Sequence, residues 1–408
     1  MIIQYFDSKM IEEVNFNDCL KGKVPLSGTD SQSLIIADYL MKNEEKYVLC
    51  SQNIKCEHSQ KIIRVNDLID AVSYAESLHA KKILITNKHN RETYEGLLQA
   101  EDKKIDVVIW DHNGPYKQFV DLIDKLACVK KIICVSNSQA NSYRHKRIFK
   151  KMEVIYNSIN LKHYQILPTT IKEKHSVCFL GSPTESKGLH VLIRNWHKVR
   201  LKFPEAKLYL LGSAKLYDRS IELGKLNLST PNFEEKYVYP FLGDTIDQLK
   251  NAGVYIEGLL SPNELKKIIS KCYVGIVNPN LSGSFETFCV SAIEIQALQT
   301  AVIGAKKLGL RETIEPKKSG ILIKNERELS TAIIKLLSAP ELSIKMGLAG
   351  RKYVEQKFSS EIIYNKWSEL LNREGLSIEK HARFNWVHSN IKEKTKEVIR
   401  LVGKMNIK

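Results

Sequence analysis

No Cys-x-x-Cys pair occurs among the eight cysteines of this chain, and no His-x-x-x-His pattern follows the near neighbours Cys50 and Cys56. That spacing argues against the common zinc frameworks and against a disulfide scaffold, and it predicts reduced thiols in a reducing compartment. No apolar run approaches the ~18–20 residues of a membrane span. The opening MIIQYFDSKM meets an acidic residue too early for a secretory leader, so the expectation is a cytoplasmic chain. Internal repeats and low-complexity tracts are missing as well.

What is present is the composition of an ordinary globular protein, 43% hydrophobic and 26% charged over 408 residues. At ~100–200 residues per domain that length suggests two or three domains with more than one sizeable core. The one excess is positive charge, a formal +16. A field of this sign attracts polyanions: an anionic membrane surface, a nucleic acid or a negatively charged substrate. A simple lysine-rich bias is the competing explanation.

Short β-branched runs alternate with longer amphipathic stretches. KKILIT (81–86), IDVVIW (105–110) and KKIICVS (130–136) stand beside helix-length segments at 66–78 and 116–127. The rhythm resumes at HSVCFLG (175–181), AKLYLLG (206–212) and YVGIVNP (273–279). Strands that alternate with helices predict βαβ units and parallel sheets, and near-continuous apolar strands predict sheets covered on both faces. A polar stretch at 159–174, with Pro168, reads as the linker between two doubly wound domains. The expected organisation is a first Rossmann-like domain at 1–165, a second at 166–358 and C-terminal helices at 359–408. From Ser377 the chain is basic and amphipathic, with Ile391, Val398, Ile399 and Val402 at helical spacing among Lys392, Lys394, Lys396, Arg400 and Lys404. Such a helix can lie on an anionic membrane, or pack on the neighbouring domain with a solvated basic face.

The chemistry concentrates in NPNLSGSFETFCVSAIEIQALQTAVIGAKKLGLRETIEPKKSGIL (278–322). A strand ends at Pro279, a small flexible loop follows at 281–284, and a helix is predicted over 289–298. Ligands of open α/β sheets bind outside the carboxyl ends of strands. The amides of Thr287, Phe288, Cys289 and Val290 are expected at a helix N-terminus, where free N–H groups and the helix dipole hold phosphate. Glu286 and Glu294 bracket the turn, about 12 Å apart if helical at ~1.5 Å per residue. That is roughly the span from a transferred sugar, across a diphosphate, to a ribose. A carboxylate accepts hydrogen bonds from vicinal hydroxyls, so Glu294 suits the ribose and Glu286 the sugar and phosphates. Taken alone, two glutamates at this spacing also fit a surface carboxylate and a helix salt-bridge partner.

The stretch resembles the family 4 glycosyltransferases, whose signature is two glutamates separated by seven residues, here Glu286 and Glu294. Ala301-Val302-Ile303-Gly304 is similar to the family's next strand, Gly309 to Ile314 to its Gly-x-x-Glu turn, and Ser319 to Ile323 to the strand after it. Met346 to Arg351 and Phe358-Ser359 resemble its closing helices. Upstream, Phe179 to Gly188 resembles the strand-Gly-Arg…Lys-Gly element in which Arg and Lys grip the donor's diphosphate. Lys187 stands at the Lys position and would neutralise charge on the leaving phosphate. Ser182 stands at the Arg position, so a hydroxyl, a backbone amide or a different cation must serve there.

The resemblance extends more thinly elsewhere. Val254 to Gly258 and Glu264-Leu265 resemble the loop and helix that hold the nucleotide base, with Ile256 among the contacts. Val154 to Asn160 is similar to the family's Asn-Gly-(Val/Ile)-Asp, from which Ser158 and Asn160 depart. Ile133 to Ser138 resembles a strand-Ser element near the interdomain cleft. Val24 to Asp30 resembles its Gly-Gly loop, with Ser27 at the first Gly and Gly28 left to let the backbone approach a phosphate. Trp110-Asp111-His112-Asn113-Gly114 ends a strand where the family often carries a His facing the sugar. His112 is the candidate for binding the sugar or orienting the acceptor, Asp111 competes with it, and a structural histidine is the plain alternative.

The resemblance implies a GT-B fold, two Rossmann-like domains facing a cleft, and transfer of a hexose or N-acetylhexosamine from a nucleotide sugar, a UDP-sugar, to a glycan or lipid-linked acceptor with retention. It places the chain in surface polysaccharide or lipopolysaccharide biosynthesis, cytoplasmic or peripheral on the inner face of the membrane. No tight Asp-x-Asp occurs. That agrees with a metal-independent site needing no cofactor, where helix amides and Lys187 do the work a divalent ion does elsewhere. The alternatives are a sugar-nucleotide epimerase of the same fold, a polyanion-binding homologue without activity, and an inactive homologue, against which Glu286, Glu294 and Lys187 together argue. The basic residues are spread widely and carry no nucleic-acid motif.

Overall fold

The computed structural model describes residues 1–6, 13–56, 59–86, 88–114, 117–165, 170–282, 286–373, 376 and 395. The basic C-terminal segment with Ile391, Val398, Ile399 and Val402, the linker's Pro168 and the loop residues Gly283 and Ser284 lie outside the described residues. The chain forms two compact units. One comprises 1–20, 29–157 and the chain from Ile363 onward as far as it is described; the other comprises 21–28 and 158–362. Helix Ser360–Asn372 thus runs into the first unit, carrying Trp367 edge-on to Trp110 at 4.8 Å.

The first unit contains strands β1 (Ile2–Tyr5), β2 (Val14–Asn15), β3 (Tyr47–Ser51), β4 (Ile54–Lys55), β5 (Ile62–Arg64), β6 (Lys82–Thr86), β7 (Asp106–Asp111), β8 (Val129–Cys134) and β9 (Met152–Val154). Seven form one parallel sheet in the order β5-β3-β1-β6-β7-β8-β9, and β2 pairs with β4. Helices over Leu68–Ser77 and Lys117–Ile123 fall inside the predicted segments. Asp67 starts the first of these by accepting from the Asp70 amide, a side-chain cap for an orphan donor.

The second unit contains β10 (Ser176–Leu180), β11 (Lys207–Leu211), β12 (Val254–Gly258), β13 (Val274–Val277), β14 (Ala301–Ala305) and β15 (Gly320–Ile323). Their order, β12-β11-β10-β13-β14-β15, is that of a dinucleotide-binding sheet, with the reversal between β10 and β13. The central strands are mostly apolar because both faces are covered. Val177 and Phe179 point into one core with Leu192 and Trp196 of helix Leu189–Lys202. Cys178 and Leu180 point into the opposite core with Ala292 and Ile295 of helix Val290–Ala297. This alternation is the period of two expected of a strand.

The stretch read as a linker is partly built into this unit. Ile159 bridges to Ser359. Farther along, the Lys172 ammonium donates to the Cys272 carbonyl at 2.7 Å and to Thr300 Oγ1 at 2.8 Å. Burial pushes the Lys172 pKa down to about 8. All eight cysteines are free thiols. Among the described residues, no helix is long and apolar enough to cross a membrane.

Candidate active site

Strands β10 and β13 part at the reversal of the sheet, and the chain leaving each carries the polar groups of the site. After β10 come Gly181, Ser182 and a turn that ends in Lys187 and Gly188, the latter capping helix Leu189–Lys202 with φ +78°. After β13 comes Asn278, also at positive φ, +34°. Glu286 lies between them. Its Oε2 accepts from Lys187 Nζ at 2.9 Å and from Asn278 Nδ2 at 2.7 Å. Glu286 is buried, with its side chain 6% exposed, against 30% for Lys187. Burial alone would lower the Lys187 pKa, but the Glu286 charge outweighs it and the ammonium ends above its ordinary value of 10.5. The Lys187 ammonium therefore stays charged at neutral pH.

The helix begins later than the sequence suggests. It spans Val290–Ala297, with Cys289 at its N-cap and no side-chain cap. Cys289 and Val290 therefore stand at the terminus, whereas Thr287 and Phe288 precede it. Phe288 turns inward, edge-on to Phe358 at 5.4 Å. The first three residues after Glu286 are non-helical, so the eight-residue interval between the glutamates is not a simple helical rise. What holds this turn is the loop after β14, where the Gly309 amide donates to the Glu286 carbonyl at 2.9 Å. The same loop carries Lys307, which interacts electrostatically with Glu286, Lys187 and Cys289. Burial, opposed by Glu286 and reinforced by Lys187, holds the Lys307 pKa below its ordinary value.

Glu294 sits one turn into the helix, half-buried, and its Oε1 accepts from the Tyr164 hydroxyl at 2.8 Å. Burial raises the Glu294 pKa and the Tyr164 bond opposes it. Ser182 is 1% exposed, and among the described residues its hydroxyl and Asn278 Oδ1 have no hydrogen-bond partner. Buried polar atoms left unpaired are costly, and here they stand beside the Lys187–Glu286 pair along the chain leaving β10 and β13. Gly28 belongs to this unit too: a methyl at its Cα would come within 3.3 Å of Val290 Cγ2, so it lies against the first residue of the helix.

One expectation changes. Val254 to Gly258 is not a loop but edge strand β12, and Ile256 packs its side chain against the core of the unit. The reason is register: Ile256 pairs with Leu210 and shares its face. Glu264 serves its own helix, closing a capping box with Ser261.

His112 belongs to the first unit, just past β7. It is 4% exposed, its ring lies 4.5 Å from that of Trp110, and burial pushes its pKa down to about 3. Asp111 is engaged by His89, whose Nε2 lies 2.8 Å from Asp111 Oδ1, and its carbonyl accepts from Gln139 Nε2 at 2.8 Å. Sequence reasoning missed His89, Asn278, Tyr164 and Lys307. The polar residues flanking the motifs at strand ends were the only signal available for them. Among the described residues, no group of three or more His, Cys, Asp or Glu side chains is arranged to hold a metal ion.

Comparison with known proteins agrees with this architecture. Residues 168–353 match the family described as glycosyl transferases group 1. The capsular polysaccharide biosynthesis glycosyltransferase CapM of Staphylococcus aureus is 24% identical over 63% of this chain and 66% of its own length. The human alpha-1,3/1,6-mannosyltransferase ALG2 is 32% identical over 60% of this chain and 59% of its own. The chain thus spans about two thirds or less of these two relatives. Among solved structures, Anabaena Alr3699/HepE in complex with UDP superposes with a TM-score of 0.67 at 14% identity, over 91% of this chain and 99% of that one. Family match and structural likeness agree: the chain has the GT-B fold, and its residues 168–353 match the glycosyl transferases group 1 family.

Proposed function

We propose that this protein moves a hexose or N-acetylhexosamine from a UDP-sugar to a hydroxyl of a glycan or lipid-linked acceptor, with retention, in the building of a surface polysaccharide or lipopolysaccharide. The observation that carries the reading is the Lys187–Glu286–Asn278 cluster at the reversal of the second sheet, with Glu294 on the helix that follows Glu286. In this reading the diphosphate lies at the Cys289–Val290 terminus, facing the Lys187 ammonium and the unpartnered Ser182 hydroxyl. Lys307 adds the second cation that Ser182 does not supply. Such fixed charges stabilise the leaving diphosphate without reorganising during the reaction. No metal is needed for that task. Glu294 receives the ribose hydroxyls, and Glu286, held by Lys187 and Asn278, faces the transferred sugar. His112, a neutral imidazole at physiological pH, is the candidate for binding the sugar or orienting the acceptor. UDP is named in the complex of the structural neighbour and capsular polysaccharide in the name of a relative, which favours this donor and this product class. Peripheral attachment to an anionic inner leaflet goes with the +16 charge.

The test is nucleotide release from a panel of UDP- and GDP-sugars, with and without pooled glycan and glycolipid acceptors. Acceptor-dependent release with a UDP-sugar supports the proposal. Conversion of the donor without acceptor would make the protein an epimerase or hydrolase. No turnover of any donor by folded protein would overturn it.

A further inference from the structure

Tyr164 follows the bridge between Ile159 and Ser359, and two contacts tie it to the donor-site helix. Its hydroxyl donates to Glu294 Oε1 at 2.8 Å. Its carbonyl accepts from Arg351 Nη1 at 2.6 Å, and the same nitrogen donates to the Ala297 carbonyl, at the end of that helix, at 2.8 Å. Next to it, the His163 carbonyl accepts from Lys266 at 2.8 Å. The main chain carrying the phenol is therefore pinned on both sides, and the ring has one direction in which to present its hydroxyl. Burial, then the Glu294 charge, holds the Tyr164 pKa well above 10, so the phenol stays a donor.

A carboxylate has room for about four hydrogen bonds. A donor fixed on one lone pair of Oε1 sets the rotation of the group and leaves the remaining positions for a ligand. We infer that Tyr164 is a positioning residue for nucleotide recognition, whose hydroxyl fixes the Glu294 carboxylate in the orientation that accepts the vicinal hydroxyls of a ribose. This rests on the donor-site reading above. It assigns specificity for a ribonucleotide over a deoxyribonucleotide to a pair of side chains 130 residues apart in sequence.

The experiment is calorimetric titration of the full chain with UDP, ADP and GDP, and with the 2′-deoxy counterpart of whichever binds. It is run between about pH 5 and about pH 8 on wild type, Tyr164→Phe, Glu294→Gln and the double variant. Loss of one charge-assisted bond to a ligand-binding carboxylate predicts ribonucleotide affinity about three- to tenfold weaker in Tyr164→Phe, with the deoxynucleotide affected less. The hydrogen bond favours the ionised carboxylate, so without it the acid loss of binding should move to higher pH. That shift would be absent in both variants carrying Glu294→Gln, and the double variant should bind no more weakly than Glu294→Gln alone. Equal affinity, discrimination and pH profile in wild type and Tyr164→Phe would overturn the inference. Additive losses in the double variant would do the same, because they would place Tyr164 outside the Glu294 pathway. Either result, with binding still weakened by Glu294→Gln, leaves the donor site itself standing. If wild type binds none of the three nucleotides, both readings fall.

Discussion

Replacing Lys187 by Met removes a charge that has one job in the structure and a second in the proposed reaction, and each has its own size. The first is structural. Lys187 Nζ lies 2.9 Å from Glu286 Oε2, on a carboxylate whose side chain is 6% exposed. Breaking a fully buried pair costs ~3–5 kcal/mol, and an exposed pair ~0–1 kcal/mol. With Lys187 itself 30% exposed, the expected loss lies between, at about 2 kcal/mol. For a unit of ~150–250 residues that lowers Tm by about 4–8 °C. Because the folded pKa of Lys187 is raised, the pair's stabilisation is fully present below the unfolded value of about 10.5 and is lost only as pH rises through the folded one. A melt at neutral pH therefore sees all of it. Pairing Lys187→Met with Glu286→Gln removes the uncompensated charge and should recover most of the lost Tm. The second job is catalytic: at ~4 Å and an effective dielectric of ~20, an ammonium and a developing phosphate charge attract by ~4 kcal/mol, so kcat should fall ~10²–10³-fold. Differential scanning fluorimetry reads the first job and nucleotide release the second. An unchanged Tm, or a double variant no more stable than the single, would refute the paired-charge argument. A kcat within about threefold of wild type would refute charge neutralisation by Lys187.

Three further outcomes follow from the geometry. Gly188 sits at φ +78°, and a methyl there would lie 2.6 Å from the Asn280 amide nitrogen, so Gly188→Ala should cost about 2 kcal/mol or more in a thermal melt and reduce donor binding with it. Ser182→Ala removes a buried hydroxyl without a partner, so Tm should stay within ~1 °C or rise, while affinity for the nucleotide falls; a lowered Tm would mean the hydroxyl is paired in the free protein. His112, with a folded pKa of about 3 against an ordinary 6.5, stays neutral while the unfolded chain takes up a proton, so stability falls as pH drops below 6.5. The loss reaches about 2 kcal/mol at pH 5, and His112→Asn should flatten that part of the profile in melts at about pH 7 and about pH 5.

The parts legible in the sequence are those where one short segment carries both the fold and the chemistry. Strands such as Ser176–Leu180 and Ala301–Ala305 are apolar at nearly every position because alternate residues feed the cores on the two faces of the sheet, and that leaves a run no surface strand would show. Glu286, Glu294 and Lys187 sit in motifs whose spacing survives in linear form. Helix boundaries were less readable: nothing between Glu286 and Cys289 breaks a helix in composition, and it is the Gly309 amide, from a loop more than twenty residues on, that holds Glu286 in an extended turn. The edge strand at Val254–Gly258 was hidden for a related reason, since its pairing with β11, and not its own pattern, makes it a strand.

The contacts that tune the site are a second layer, and they are not local. Asn278 reaches Glu286 only because the chain leaving β13 takes a left-handed turn there, which an asparagine tolerates. Tyr164 reaches Glu294 because Arg351, 187 residues away, clamps its carbonyl to the end of the same helix. Each of these residues is unremarkable in its own neighbourhood: a polar residue after a strand, a tyrosine in a turn, an arginine on a helix. Their role exists only once packing of helix Pro340–Phe358 on helix Val290–Ala297 has fixed where they point. The same logic bears on the serine at the expected arginine position. A site whose cations are supplied from distant loops, as Lys307 is from the loop after β14, can lose a guanidinium at residue 182 and keep two ammonium groups electrostatically linked to one glutamate. The charge requirement of the proposed donor site is then met by the tertiary structure, and a motif read along the chain at that position registers only a gap.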